Sequence, residues 1–468
     1  MSLRNRSRSR SRSRSRWQRL RRPVLGLVVL MLAGVGALAW KAETIRTAAE
    51  AYLFGYPLVM VDLTREAAAR AVGPENLLKR VRQFPDAGFR GVVRPNVDTL
   101  YTTAFIDMAA GPFVFEMAPN DQRFALMSFM DAWTNVFASP GSRTTGQAGG
   151  RFVLAGPGWA GAVPQGATLL RSPTRIVWLI GRTQTNGAAD YPLVGRLQDG
   201  ITLRPLFTSA DAAGPATGTA WSPADSTPPI VQMAALSADA FFTRLARLLV
   251  DNPPAAADAP IMSRLARLGV LPGRPPQWGR LDRWAVGLGR WLADLTVARA
   301  LKQPRDLVRG WSTPPANLGQ FGTDYNTRAA VAKVGLGANL PADALYPNAR
   351  LDAQGKPLEG SRRYRIRFRA DELPPVKAFW SVTAYGADDF LISNPINRYA
   401  LGDRDPLVRN ADGSLDLLVQ ATPPAGAMQA NWLPVQAGAP FVLTARLYWP
   451  KAEALIGSWG MPAIEPND

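Results

Sequence analysis

From Leu100 to Asp107 the chain keeps a strict period of two. Leu100, Thr102, Ala104 and Ile106 fall on one face, and Tyr101, Thr103, Phe105 and Asp107 on the other. Successive side chains of a strand point to opposite faces, so this stretch is committed to a sheet and not to a helix. Short stretches of the same kind recur over 113–117, 123–130, 151–154, 167–170 and 175–180, with turn residues between them. The cadence returns in 364–368, 376–385 and 441–449. With 40 Pro and 41 Gly as punctuation, it predicts a mainly β fold built from two sandwich or jelly-roll-like domains. Asp412-Gly413, between Leu407-Val408 and 415–419, reads as a hairpin turn.

Helical spacing interrupts the cadence twice. Ile45, Ala48, Ala49, Tyr52 and Leu53 predict a helix over 43–54, broken at Gly55-Tyr56-Pro57 and followed by a second piece over 58–70. Ser237 is placed to cap a helix carrying Phe241, Phe242, Leu245, Leu248 and Leu249 on one face. Further on, Trp284, Leu288, Trp291 and Leu295 share a face. These helices are expected to cover one side of a sheet. The resulting division is an Arg/Ser-rich arm (1–22), an apolar run (23–40), a β domain (41–235), a helical insert (236–330) and a second β domain (331–468).

The N-terminus reads as an address. Residues 1–22 hold ten Arg and no acid, and residues 23–40 carry no charge. A basic segment before an 18-residue uncharged run is a signal anchor or a signal peptide, with Ala37-Leu38-Ala39 as a small-x-small cleavage site. The membrane is thus an expected partner through residues 23–40. Positive-inside logic puts the Arg arm in the cytoplasm and the body in the periplasm, either anchored in the inner membrane or released after cleavage. The net charge of +18 falls to +8 (44 basic, 36 acidic) once the first 40 residues are set aside. A nucleic-acid partner is therefore not expected.

Two absences narrow the chemistry. Without Cys there are no disulfides, thiol nucleophiles or iron–sulfur ligands. Without His there is no Ser-His-Asp triad, HExxH zinc site or imidazole base. No cofactor is expected. A metal, if one binds, should be a hard cation such as calcium or magnesium on oxygen ligands.

The run Arg94-Pro95-Asn96-Val97-Asp98-Thr99-Leu100-Tyr101 concentrates polar groups ahead of the first strand. Asp98 and Tyr101 are the candidate catalytic pair, with Asn96 and Thr99 orienting a ligand. The same residues also suit an Asx-type turn, in which Asn96 and Asp98 bind local backbone. Asp131 is a further acidic candidate. Asp107 is nine residues from Asp98, so strand parity turns the two apart. Trp133, Tyr385 and Trp432 could stack on a sugar or an apolar ligand. Trp432, in Asn431-Trp432-Leu433-Pro434, reads as a loop residue facing a ligand or a neighbouring copy in a homo-oligomer. Arg182 and Arg398 could clamp an anion. Arg363, Arg365, Arg367 and Arg369 alternate with Tyr364, Ile366 and Phe368 and read as a solvated outer face.

Several of these motifs carry a resemblance. Phe54-Gly55-Tyr56-Pro57-Leu58, Arg94 to Tyr101, Arg143-Thr144-Thr145-Gly146 and Gly181-Arg182-Thr183 resemble the bacterial domain of unknown function DUF1254. Gly335-Leu336-Gly337-Ala338-Asn339, Tyr346-Pro347, 379–385, Asn394, Arg398-Tyr399, Asp412-Gly413-Ser414 and Asn431 to Pro434 resemble its usual partner, DUF1214. The resemblance spans about residues 45–465 and implies two β-rich, jelly-roll-like domains in an often exported protein. It implies no reaction. The leading expectation is an envelope protein that binds a small or carbohydrate-like ligand or acts structurally. The alternative is a His-free, carboxylate-dependent hydrolase or lyase using Asp98 and Tyr101.

Overall fold

The protein is described by a computed structural model covering residues 8–91, 93–207, 227–302 and 307–467, with side chains described from Met31 onward apart from a few positions. The side chains of the Arg/Ser arm and of residues 23–30 lie outside the described residues, as does most of the expected loop at 206–232. Among the described residues no helix is long and apolar enough to cross a membrane.

Two sandwich-like β modules carry the fold. In the N-terminal module a five-stranded sheet runs in the order Lys79–Arg80, Thr99–Asp107, Ile176–Gln184, Ala125–Asp131, Val136–Ala138. It faces a four-stranded sheet of Thr168–Arg171, Gly150–Ala155, Phe113–Met117 and Ile201–Pro205. The core between them takes Ala104 and Ile106 from the face that the alternation assigns, with Phe115, Phe129, Leu154 and Leu179. The C-terminal module pairs a seven-stranded sheet, centred on Phe441–Tyr448 and Trp380–Gly386, with a four-stranded sheet of Trp432–Pro434, Leu415–Gln420, Tyr364–Phe368 and Ile464–Pro466. Tyr364, Ile366, Phe368, Val382, Leu443 and Leu447 fill its core. On the opposite face of Tyr364–Phe368, Arg365 and Arg367 pair with Glu465 and Asp412 at the surface.

The helices form a layer on the other face of the five-stranded sheet. Tyr52, Phe54, Phe241, Phe242, Leu245, Leu265 and Val286 form one core that reaches the sheet at Phe105 and Ile176. The helical insert therefore does cover one side of a sheet.

Three local expectations are corrected. A single helix, Arg8–Val72, passes through Gly55-Tyr56-Pro57 without a break. Gly55 is there for close approach: a Cβ would lie 2.6 Å from Leu245 Cδ2 of the neighbouring helix Ala238–Asp251. Asp412-Gly413 makes a turn but not a hairpin. The Asn431 side chain holds Val408 by its N–H and its carbonyl, at 2.8 and 2.7 Å, in place of a strand ladder. The stripe Trp284, Leu288, Trp291, Leu295 is not the packed face of its helix. In Arg280–Lys302 the buried positions are Ala285, Val286, Gly289, Ala293 and Val297, while Trp284 and Trp291 are exposed.

Candidate functional site

The loop Arg94–Thr99 is where the two modules meet. In the C-terminal module, Trp380, Val382, Ala384, Leu443, Ala445 and Leu447 point into the sandwich core. The alternate residues Ser381, Thr383, Tyr385, Thr444, Arg446 and Tyr448 must point the other way. All six are nonetheless buried, because the Arg94–Thr99 loop lies against Ser381, Tyr385, Arg446 and Tyr448 while Phe124 and Tyr346 close over Tyr448. A buried polar face needs hydrogen-bond partners, and the loop supplies them.

Asn96 starts the arrangement. Its Oδ1 accepts from the Asp98 and Thr99 backbone N–H groups at 2.7 and 3.0 Å, which is the Asx turn, and its Nδ2 donates to the Tyr448 hydroxyl at 2.8 Å. The turn presents Asp98, which has no solvent exposure. One carboxylate oxygen accepts from Ser381 at 2.7 Å and from Tyr448 at 3.4 Å. The other pairs with Arg404, whose guanidinium lies 4.2 Å from the Phe379 ring centroid. Beside it, the Tyr385 hydroxyl donates to the Pro95 carbonyl at 2.8 Å and accepts from Arg446 at 2.6 Å. Burial disfavours a charge on Arg446, but Tyr385, Tyr448 and Asp98 around it hold its pKa above the ordinary arginine value. Burial pushes the Tyr385 and Tyr448 hydroxyls up, so both remain protonated donors.

Asp98 and Arg404 connect this network to a cleft of about 630 Å³ between the modules, which both of them line. Phe84, Asp86, Asn186 and Tyr191 line it from the N-terminal side, and Asn397, Arg398, Tyr399, Arg404 and Asp405 from the C-terminal side. Tyr191 is fixed by accepting the Phe84 N–H at 3.0 Å. Arg398 is fixed by donating to the carbonyls of Gln429 and Trp432 at 2.8 and 3.0 Å. Partial burial raises the Asp405 carboxyl pKa, and the Gly402 N–H donates to it at 2.7 Å.

The candidates from the sequence thus separate into groups. Asn96, Asp98, Thr99 and Tyr385 come together at the module boundary, and Arg398 stands on the cleft. Tyr101 does not join Asp98: its half-buried ring lies under the buried Arg182 guanidinium, 5.2 Å away, and Arg182 donates to the Gly337 carbonyl at 3.0 Å. Asp131 is buried elsewhere, accepting from the N–H groups of Trp133 and Asn135 at 2.9 and 2.8 Å. The Trp133 ring is core, 4.7 Å from Phe54. Trp432 is buried in the strand Trp432–Pro434, with its indole N–H donating to the Gln420 carbonyl at 2.8 Å, and so faces no open loop. Asp107 is held by Arg175: partial burial opposes its ionisation, but that guanidinium keeps its pKa below the usual carboxylate range.

Arg404, Ser381, Arg446 and Tyr448 were not singled out by sequence. A signal was present: in 441–448 and 380–386 polar residues alternate with apolar ones, and in a solvated strand Tyr and Arg on that face would need no explanation. The docking of distant parts of the chain, the Arg94–Thr99 loop together with Phe124 and Tyr346, turns that face into an interior.

Residues 76–205 match the family described as "Protein of unknown function (DUF1254)", and residues 343–452 the family described as "Protein of unknown function (DUF1214)". Among solved structures, the chain is similar to the VPA0106 protein from Vibrio parahaemolyticus at 23% identity, over 91% of this chain and 100% of that one, with a TM-score of 0.70. That likeness extends the two-module fold to a second protein. A putative uncharacterized protein from Burkholderia cenocepacia matches at 14% identity over 94% and 98% of the two chains, with a TM-score of 0.44. No curated protein matches the chain. The Asn96–Asp98 turn lies within the first matched region and Ser381, Arg404, Arg446 and Tyr448 within the second, so the chain resembles a DUF1254–DUF1214 tandem whose two matched regions are joined through that turn.

Proposed function

We propose that the chain is an envelope protein, attached to or exported across the inner membrane through residues 23–40, whose periplasmic body binds a small polyhydroxylated, carbohydrate-like ligand in the interdomain cleft. The observation that carries this reading is the lining of the cleft. Carboxylates (Asp86, Asp405), amides (Asn186, Asn397) and guanidinium groups (Arg398, Arg404) are interspersed with the rings of Phe84, Tyr191 and Tyr399. Planar polar groups suit hydroxyls that both donate and accept, and aromatic faces suit the C–H side of a sugar ring. The two carboxylates are matched by two guanidinium groups, so the lining favours no strong net charge on the ligand. An apolar one would leave the polar lining unpaired, which is costly.

The hydrolase or lyase reading has less support. Asp98 has no free face, because Arg404, Ser381 and Tyr448 occupy its carboxylate, and Tyr101 is not beside it. A general base must reach the proton that it removes. The test is titration of the full chain in detergent with neutral mono- and disaccharides, set against inorganic phosphate and a fatty acid. Saturable binding of a neutral sugar alone supports the proposal, and preference for either of the other two overturns it.

A further inference from the structure

A second pocket lies on the module boundary. It encloses about 430 Å³, and Asn186 lines both it and the cleft. Its N-terminal side is held in place by Arg123. That buried guanidinium holds Asp121 through two contacts of 2.6 Å, Asp190 at 2.7 Å and the Gln184 carbonyl at 2.9 Å. From the C-terminal module come Lys377 and Trp449, and the Lys377 backbone N–H donates to the Trp449 carbonyl at 2.8 Å. Two lining residues, Gln122 (φ 73°) and Trp449 (φ 50°), sit in the left-handed region, one from each module. Non-glycine residues rarely adopt that conformation, and such strain collects at functional sites.

The lining carries hydrogen-bonding capacity that the chain itself leaves unused. The Gln147 Oε1 is buried without a partner. Its amide nitrogen donates to the Gln122 carbonyl at 3.4 Å and to the Ser142 hydroxyl at 3.3 Å, and a carbonyl can only accept, which fixes the orientation of the amide. On the donor side, the Trp449 indole N–H makes no hydrogen bond among the described residues. Asn186 uses its amide oxygen on the Gln184 side chain at 3.1 Å and keeps its N–H groups free. The Lys377 ammonium lies 5.3 Å from the Trp449 ring centroid and has no carboxylate partner among the described residues. Arg123 is matched by Asp121 and Asp190. Lys377 therefore supplies the uncompensated charge of the lining.

We propose that this pocket is a binding site, separate from the cleft, for a polyhydroxylated monocarboxylate such as a sugar acid. A single unmatched ammonium calls for a single negative charge. Together with the indole and amide N–H groups it forms a donor set suited to a carboxylate. The unpartnered Gln147 oxygen needs a donor, which a ligand hydroxyl supplies and a bare anion does not. A phosphate dianion would exceed the charge of the lining and meet Asp121. A neutral sugar would gain no charge pairing from Lys377. Because Arg123 already fixes one side, little ordering is required when the ligand enters. The site stands whatever the cleft binds.

The test is calorimetric titration of the full chain in detergent with three probes. They are galacturonate, galactose (a hydroxymethyl group in place of the carboxylate) and acetate (the carboxylate without the ring). Galacturonate should bind saturably, and acetate about tenfold more weakly or worse. Lys377→Met should weaken galacturonate about tenfold and leave galactose unchanged, the range for one lost hydrogen bond to a charged group. Trp449→Phe keeps a ring, removes the indole N–H and should cost about threefold. The Lys377 side chain is exposed, so its variant should keep the wild-type melting temperature. Tyr399→Ala, in the cleft, should leave galacturonate binding in place. Galacturonate binding without galactose binding would support this pocket and count against the cleft. Absence of galacturonate binding, equal affinity for acetate, no effect of Lys377→Met, or loss of all galacturonate binding in Tyr399→Ala would overturn the proposal.

Discussion

Asp98 and Arg404 form an ion pair across the boundary between the two β modules, 306 residues apart in sequence. The carboxylate is fully buried, and the guanidinium keeps 16% of its side-chain surface exposed. Asp98 is presented by an Asx turn in one family domain, and Arg404, Ser381 and Tyr448 come from the other. The pair therefore reports whether the modules are docked.

Asp98→Asn should destabilise the protein by about 3–5 kcal/mol, because breaking a buried pair leaves one charge uncompensated. Chemical denaturation with tryptophan fluorescence would measure this. If the loss falls on the module boundary, Asp98→Asn should also broaden the transition or split it in two. A loss below about 1 kcal/mol would mean that the pair contributes no more than a surface contact.

Tyr385→Phe removes the donor to the Pro95 carbonyl and one acceptor of Arg446 without changing the packing. The expected cost is about 1–3 kcal/mol, the range for leaving buried polar groups unpaired. Tyr399→Phe serves as the control, since that hydroxyl is at the surface and bonds only Asn397 at 3.3 Å. Thermal melts of the two variants should differ clearly.

Asp131 gives a pH signature. Burial raises its pKa from 3.8 to about 6 despite the N–H groups donated to it. In this pH range the folded state binds more protons at Asp131 than the unfolded state. Stability from this group is therefore full below about pH 4 and falls as pH rises to about 6, by roughly 2–3 kcal/mol. Denaturation midpoints across pH 4–7 should show that slope in the wild type, and it should flatten in Asp131→Asn.

Gly289→Val tests the packing of the helix Arg280–Lys302 on the long N-terminal helix. The added side chain must displace the Ile45 carbonyl or the Ala48 methyl. A cost of about 1–3 kcal/mol is expected for overpacking at this contact. Gly287→Ala in the same helix, where a Cβ meets nothing within 4 Å, should be neutral or slightly stabilising by melting temperature.

Strand faces were the most legible part of the sequence, because burial on one side of a sheet imposes a period that composition cannot hide. Leu100 to Ile106, Tyr364 to Phe368 and Phe441 to Leu447 all point as the alternation predicts. The Asx turn at Asn96 was legible for a related reason: its hydrogen bonds are local. Partners of Asp98 were not, since Ser381, Arg404 and Tyr448 lie hundreds of residues away and local pattern carries no register between distant segments. The Trp284–Leu295 stripe shows the opposite limit. Its periodicity was correct, but a helix with two apolar faces does not announce which face its own chain will use.

The cleft is the centre of the functional account, and one titration addresses it most directly. Neutral sugars should bind the wild-type chain saturably, and Tyr399→Ala and Asp405→Asn should each weaken binding at least tenfold with an unchanged melting temperature. Equal affinities for wild type and both variants, or no sugar binding at all by a folded wild-type chain, would contradict it.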